Sequence, residues 1–173
     1  GAHKPLISKE LFDLVQETRG VNKGVWGSKT FAFRGLLKCG RCTADITAQD
    51  KFKTLKNGDV KRFVYYNCTR RKDPNCAEKY VNEERLCELM QGFIEKHHED
   101  IKITEKLRAR VDKHFYTTKT ILTHYKIDQK LNNPFIEYAR YVLADGTDSE
   151  RTFLASNMGP MLQIKDGELE FYR

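Results

Sequence analysis

Two stretches decide the fold of this chain: FRGLLKCGRC at residues 33–42 and VYYNCTRRKDPNC at residues 64–76. Each contains a cysteine pair, Cys39-x2-Cys42 in the first and Cys68-x7-Cys76 in the second. Zn²⁺ binds four thiolates in a tetrahedron, and a C-x2-C turn commonly supplies two of them. The pattern therefore favours a structural zinc ribbon. Disulfides and free buried thiols stay open as alternatives.

The fifth cysteine, Cys87, lies in a helical pattern beside Leu86 and Leu89. We interpret it as a small buried apolar residue and not as a metal ligand. The chain has 173 residues, which is enough for one ordinary domain or for two small ones. A ribbon of this size buries only a thin core and depends on the metal for stability, so the zinc site favours two small domains.

Positive charge is concentrated around the cysteines. The chain has a formal net charge of +7. Residues 38–79 hold eleven Lys and Arg against five acids, whereas residues 96–173 hold thirteen against twelve. A solvated surface explains abundant charge but not an excess of one sign. The excess favours a polyanionic partner, and nucleic acid in particular, for the half that contains the cysteines.

Local patterns predict the elements of the first half. Ser8 is placed as the N-cap of a helix that ends at Gly20, followed by a linker at residues 21–28. In residues 31–37, large apolar residues alternate with polar or small ones, which predicts a strand that leads into the first cysteine pair. Strands at 44–52 and 61–68 are predicted to form a hairpin across residues 56–59 (KNGD), because Asn-Gly tolerates the positive φ of a tight turn.

Helical patterns dominate the second half. Asn82 is predicted as the N-cap of a helix with an apolar stripe that packs in the core. Further helices are expected at residues 104–128, 135–144 and 147–156, and a closing β-hairpin at residues 161–172. The expected fold class is α+β, with a small zinc β-ribbon followed by a mostly helical segment and a short terminal hairpin. The stripe consists of Leu86, Leu89, Met90, Phe93 and Ile94.

The same stretches resemble one protein family. Residues 5–16 (PLISKELFDLVQ) resemble the end of the recombinase domain in large serine recombinases (LSRs). The FRGLLKCGRC stretch resembles the start of that family's zinc ribbon, and residues 64–68 with Cys76 resemble its second ligand pair. Residues 135–151 and 162–167 are similar to the C-terminal helical segment of smaller members and to the strand that follows it. Thr43 stands where the family often has Gly.

The resemblance implies a domain organisation. Residues 1–24 would end the recombinase domain and form a linker, residues 25–80 the DNA-binding zinc ribbon, and residues 81–173 the helical segment with its terminal hairpin. The family's catalytic domain, with its nucleophilic serine and phosphate-activating arginines, has no counterpart before residue 5. We therefore expect a fragment that is not an enzyme, taken from a parent that cleaves and rejoins DNA. Its zinc ligands would be Cys39, Cys42, Cys68 and Cys76.

Basic residues near these ligands are the predicted DNA contacts. On a ribbon, residues just beyond a cysteine pair lie at the tip, where they can reach phosphates or base edges. The aromatic residues among them, Phe63, Tyr65 and Tyr66, are expected mainly in the core. The predicted DNA-binding set is Lys38, Arg41, Lys61, Arg62, Arg70, Arg71 and Lys72.

A closed four-thiolate site has no open position for water or substrate, so its role is structural. We expect the ribbon to recognise part of a recombination attachment site in double-stranded DNA, in the bacterial cytoplasm on the nucleoid. Self-association is expected of the full-length protein, and no small-molecule substrate. No membrane partner is expected either, because no apolar run approaches the roughly 20 residues that span a bilayer.

Two other classes of function stay open. In one, the ribbon is a scaffold and the apolar stripe at residues 86–94 pairs with another subunit, which makes the chain a protein–protein interaction module. In the other, the chain is a metal-dependent hydrolase with an irregular histidine site. The sequence holds no G-x-S-x-G, P-loop or H-E-x-x-H motif that would support catalysis. The histidines concerned are His97, His98, His114 and His124.

Overall fold

The computed structural model describes residues 8–9, 29–128, 130–159 and 161–172. The chain divides into two compact units, Gly1–Thr30 and Phe31–Arg173. In the first unit, Ser8 and Lys9 are exposed, and Lys9 is helical. The rest of the helix predicted up to Gly20, the linker at residues 21–28 and the proposed 1–24 segment lie outside the described residues. The predicted boundary between residues 80 and 81 falls inside the second unit and stays a prediction.

The second unit begins with turns, where the sequence predicted a strand. Residues 32–36 form turns, and strand β1 covers only Leu37–Cys39. Backbone hydrogen bonds from Arg34 to Phe31 and from Leu36 to Phe33, both 3.3 Å, close these turns. Gly35 adopts φ +73°, which an extended strand does not allow. The alternation of Phe31 and Phe33 was therefore misleading, and both Ala32 and Phe33 are buried.

The predicted hairpin is confirmed. Strands β2 (Ile46–Thr54) and β3 (Val60–Cys68) pair antiparallel over nine residues each, from Ile46 opposite Cys68 to Thr54 opposite Val60. Gly58 takes φ +89° in the connecting turn, as the Asn-Gly pattern predicts. A two-residue strand, β4 (Val81–Asn82), adds to the other edge of β3.

Four helices occur in the part of the chain that the structure describes beyond β4: α1 (Glu83–His97), α2 (Glu105–His124), α3 (Pro134–Asp145) and α4 (Asp148–Ser156). The side chain of Asn82 accepts the backbone N–H of Arg85, which confirms the predicted N-cap. None of the described helices combines the length and the apolar character that a bilayer span requires. The stripe of α1 packs in the core as predicted: Leu86, Met90, Phe93 and Ile94 are buried, and Leu89 is partly buried against them.

The sheet that closes the second unit was not predicted. Strands β7 (Leu162–Lys165) and β8 (Glu168–Phe171) form the expected terminal hairpin. However, β1 pairs in parallel with β7, so that Cys39 lies opposite Ile164, and the sheet order is β1-β7-β8. A further short pair joins β5 (Lys102–Ile103) to β6 (Met158–Gly159). The two ends of this unit thus share one sheet, and the α+β prediction is confirmed.

Gly40 allows the close approach between β1 and β7. Its backbone N–H donates to the carbonyl of Ile164 at 2.7 Å. A Cβ at this position would lie 2.5 Å from the Cβ of Lys165, which is closer than two carbon atoms can pack. Gly92, in the middle of α1, is exposed, and a Cβ there would meet nothing within 4 Å.

These two glycines give a prediction with opposite signs. We expect Gly40→Ala to lower the free energy of unfolding by about 1–3 kcal/mol, because the added methyl group forces β1 and β7 apart. Gly92→Ala should raise it by about 1 kcal/mol, because alanine is the better helix former. Urea unfolding of both variants measures the two effects. A stability of Gly40→Ala equal to that of the wild type would contradict the close β1–β7 contact.

Candidate metal centre and nucleic-acid interface

The four predicted ligands come together in one cluster. The sulfur atoms of Cys39, Cys42, Cys68 and Cys76 all lie within 4.8 Å of one another. The Sγ–Sγ distances are 3.6 Å for Cys39 and Cys76 and 3.3 Å for Cys42 and Cys68. A tetrahedral Zn²⁺ with Zn–S bonds of about 2.3 Å holds its sulfurs about 3.8 Å apart, whereas a disulfide requires about 2.05 Å. The donor set and its spacing fit zinc, and the disulfide alternative does not fit.

Each cysteine pair is shaped by backbone hydrogen bonds. Cys39 ends β1, and its carbonyl accepts the N–H of Thr43 at 2.8 Å, which closes the first knuckle. Cys68 ends β3, and its sulfur accepts the N–H of Arg70 at 3.2 Å. Thr43 and Arg70 both adopt positive φ, at +60° and +55°. Their side chains cost about 1–2 kcal/mol in this conformation, which explains why a glycine at the position of Thr43 is well suited to such a turn.

Burial governs the chemistry of the thiols. Cys39, Cys68 and Cys76 are buried, and Cys42 is partly buried. Burial raises the pKa of the Cys39 and Cys68 thiols above the ordinary value. Zinc binds the deprotonated form, so it must displace protons from these sulfurs. Four protein thiolates around one ion leave no open coordination position, and the centre is structural.

A buried carboxylate beside the centre was missed by the sequence analysis. Glu78, two residues after Cys76, is only 3% exposed. Its carboxylate oxygens accept the backbone N–H groups of Asp166 at 3.1 Å and of Gly167 at 3.2 Å, in the turn between β7 and β8. The guanidinium of Arg41 lies 3.3 Å from the same carboxylate and also pairs with the side chain of Asp166. A charged residue shortly after a cysteine pair gives no sequence signal for this role, because the backbone groups that it binds are 88 and 89 residues away.

We call this set of contacts the Glu78 clasp: Glu78, Arg41, Asp166 and Gly167. It joins the metal centre to the terminal hairpin, because Arg41 lies between the first two ligands and Glu78 follows the fourth. A buried charge is stable only when it is paired and hydrogen-bonded, and the clasp provides both. The clasp and the β1–β7 pairing make β7 and β8 part of the framework around the zinc site.

The seven predicted DNA-binding residues differ in their surroundings. Lys38 pairs with Asp45 at 2.5 Å, Lys61 with Glu84 at 3.2 Å and Arg62 with Asp50 at 3.1 Å, while Arg41 belongs to the clasp. Lys72 donates to the hydroxyl of Thr43 at 2.8 Å. Among the described residues, no ion pair within 4.0 Å includes Arg70, Arg71 or Lys72, and all three side chains are exposed.

The remaining candidates lie away from the metal centre. His97 packs against Phe93 and Phe171, and His114 stacks on Tyr141 with ring centroids 4.8 Å apart. Within the described ranges, the four-cysteine cluster is the sole group of three or more potential metal ligands, so the histidines form no such site. Cys87 is buried as predicted, and burial raises the pKa of its thiol to about 11.

The geometry defines a zinc-ribbon protein. Residues 32–94, which include all four ligands and most of α1, match the family model described as the recombinase zinc beta ribbon domain. The chain therefore contains a recombinase zinc ribbon, its cofactor is Zn²⁺, and the resemblance found in the sequence is confirmed over this segment.

Two solved structures are similar to the chain. One is described as the crystal structure of an LSR–DNA complex, with 17% sequence identity and a TM-score of 0.44; the alignment covers 99% of this chain and 67% of that one. The other is described as "Sequence Requirements of the Listeria innocua prophage attP site" and has 25% sequence identity and a TM-score of 0.32. That alignment covers 56% of this chain and 45% of the other. No curated protein matches the chain. At these TM-scores, neither alignment extends the family assignment beyond residues 32–94.

Removal of one zinc ligand tests the metal centre. We expect Cys39→Ser to lose the one zinc ion per chain and to unfold the ribbon. The metal in such sites contributes about 10–16 kcal/mol, as much as the whole stability of a typical domain. Cys87→Ala is the matched control and should keep one zinc. Atomic emission measures the zinc content of each protein. In the wild type, thiol titration before and after chelation should show four additional thiols once zinc has left. An unchanged zinc content in Cys39→Ser would rule out this ligand set.

A second prediction concerns the Glu78 clasp. Glu78→Ala removes the acceptor of the Asp166 and Gly167 backbone N–H groups and leaves the Arg41 guanidinium with Asp166 as its remaining carboxylate partner. We therefore expect the free energy of unfolding to fall by about 2–4 kcal/mol in zinc-saturated protein. Hydrogen exchange should accelerate at the amides of residues 162–171. The control, Glu170→Ala, removes an exposed carboxylate of β8 and should change stability by less than about 0.5 kcal/mol. Equal stability of the two variants would show that the clasp does not hold the hairpin.

Proposed function

We propose that this chain is the DNA-binding C-terminal part of a serine site-specific recombinase, and that its zinc ribbon recognises part of a recombination attachment site. The observation that carries the proposal is the charge of the recombinase zinc ribbon. Eleven basic residues against five acids occur between residues 38 and 79, and the second knuckle exposes three consecutive cations, Arg70-Arg71-Lys72. Exposed arginine and lysine side chains are the usual contacts to phosphates and to guanine.

The surroundings of the seven basic residues suggest a ranking. Within the described ranges, no acid forms an ion pair with Arg70, Arg71 or Lys72 that would have to break before they bind a phosphate. Lys38 and Lys61 pair with exposed acids, and such surface pairs are worth only about 0–1 kcal/mol, so DNA can replace the acid at little cost. Arg41 pairs with the buried Glu78 and Arg62 with the nearly buried Asp50, and we propose that these two arginines stabilise the fold and do not reach the DNA.

Zinc supports this function by fixing the second knuckle. Cys68 and Cys76 bracket the three cations, and the hydrogen bond from the Arg70 N–H to the Cys68 sulfur holds the loop in its left-handed turn. A loop held in this way loses less conformational entropy when it meets DNA. The metal then acts as a positioning element for the cations, with no chemical step of its own.

The parent protein would provide the remaining functions. Strand cleavage and rejoining would belong to a catalytic domain elsewhere in the longer protein, and self-association would bring two attachment sites together. The DNA partner places such a protein with the bacterial nucleoid in the cytoplasm, without a membrane or small-molecule partner.

The test is DNA binding as a function of salt. We expect fluorescence anisotropy with a 30-base-pair duplex, about three helical turns long, to give a straight line of log affinity against log salt. The slope should be about −0.9 for each phosphate contact. A variant with R70N, R71Q and K72Q should have a slope shallower by about 2.7, since three contacts are lost. Asparagine at position 70 tolerates the positive φ, which protects the fold.

Zinc content of one ion per chain confirms that this variant is folded. Wild-type affinity that is indifferent to salt would overturn the proposal. A tight dimer in sedimentation with no affinity for DNA would instead favour a protein–protein interaction module.

A further inference from the structure

The β2–β3 hairpin extends beyond the core as an arm. Near its base, Ile46, Val64, Tyr66 and Cys68 are buried. From residue 51 to residue 62, every residue is exposed. We call these twelve residues the hairpin arm. Four cross-strand pairs lie beyond the Asp50–Val64 pair, so the arm reaches about 14 Å further at roughly 3.4 Å per residue.

One face of the hairpin collects lysines and aromatic rings. Side chains alternate between the two faces of a strand, and the pairing places Lys51 opposite Phe63 and Lys53 opposite Lys61. Tyr65 continues this face toward the base. We call this set the lysine–aromatic face: Lys51, Lys53, Lys61, Phe63 and Tyr65.

Ring contacts hold the lysines over this face. The ammonium of Lys51 lies 5.8 Å from the ring centroid of Tyr65, and those of Lys53 and Lys61 lie 5.4 and 5.2 Å from the centroid of Phe63. Lys53 and Lys61 therefore share one ring while standing directly opposite each other across the strands. Like charges in this position destabilise a hairpin. An anion bound between them would remove that repulsion.

The nearby acids leave the face largely uncompensated. Asp50 lies on the opposite face, where it pairs with Arg62. Asp59 lies in the turn and accepts from the side chain of Asn57. Among the described residues, Glu84 of α1 is the acid that reaches a lysine of this face, and its pair with Lys61 is exposed on both sides. One surface pair does not neutralise three ammonium groups.

The same face continues to the second knuckle. Toward the base it passes through Thr47 and Asn67 to Asp45, just before β2. The Asp45 carbonyl accepts the backbone N–H of Thr69, the residue directly before Arg70, at 3.0 Å. The pKa of the Asp45 carboxyl is lowered first by its bond to Lys38 and further by the nearby charges of Lys72 and Arg71. The lysine–aromatic face and the cations of the second knuckle therefore belong to one surface.

We propose that the lysine–aromatic face binds the phosphate backbone of duplex DNA, with the hairpin arm lying along the major groove. The proposal rests on the DNA-binding function proposed above and adds a second contact to that of the knuckle. A two-stranded β-ribbon fits the groove, which is about 12 Å wide. Three ammonium groups would each displace a condensed counterion.

Edge protection is the competing explanation for these lysines. Strand β2 is an edge of the β2-β3-β4 sheet, and lysines on edge strands prevent sheets from pairing with other molecules. This explanation predicts that removal of the lysines promotes self-association and leaves the salt dependence of DNA binding unchanged. The two explanations therefore differ in a measurable slope.

The experiment compares two triple variants of the whole chain. K51Q/K53Q/K61Q removes the ammonium groups of the face, and K106Q/K113Q/K119Q removes three exposed lysines of α2 as a control of equal charge. With the same duplex, we expect the slope of log affinity against log salt to become shallower by about 2.7 for the first variant. For the control variant, the slope should change by less than about 0.9, which is the contribution of a single phosphate contact.

Lysine acetylation of the wild type gives a second measurement that needs no variant. DNA should protect Lys51, Lys53 and Lys61 and leave Lys106 and Lys113 reactive. Equal slopes for the two triple variants, or equal acetylation with and without DNA, would overturn the face as a contact while wild-type binding persists. Absence of wild-type DNA binding would overturn the proposed function itself, so the two failures are distinct.

Discussion

The zinc site is the constraint on which the rest of the ribbon depends. Its ligands come from the end of β1, the turn after it, the end of β3 and the loop before β4. Four sulfurs within 4.8 Å bring their loops together. Because a structural zinc contributes about as much free energy as the whole stability of a small domain, the metal can hold strained backbone at Thr43 and Arg70.

That constraint extends to the far end of the chain. The parallel pairing of β1 with β7 and the Glu78 clasp place the terminal hairpin against the first knuckle. In the fold, two backbone N–H groups and a guanidinium replace the water around the Glu78 carboxylate. Such partners are required when a carboxylate is buried. The four helices therefore lie in sequence between two joined parts of one framework, in which metal, clasp and sheet support one another.

Electrostatics separates the basic residues into structural and available groups. Arg41 and Arg62 have acids that are themselves buried or nearly so, which ties them to the fold. The cations of the second knuckle and the lysines of the hairpin arm are exposed, and this difference is what makes one surface of the ribbon suitable for a polyanion. Net charge alone would have treated all of them alike.

The sequence by itself determined the ligand set, the β2–β3 hairpin, the cap of α1 and the terminal hairpin, because each follows from local signals: cysteine spacing, an Asn-Gly turn, an N-cap and alternation. It misread residues 31–36, where two phenylalanines imitate a strand although Gly35 turns the chain. Only the tertiary structure decided the β1–β7 pairing, the role of Glu78 and which of the described cations form ion pairs with acids. These depend on residues up to 125 positions apart, and no local pattern encodes a contact between them.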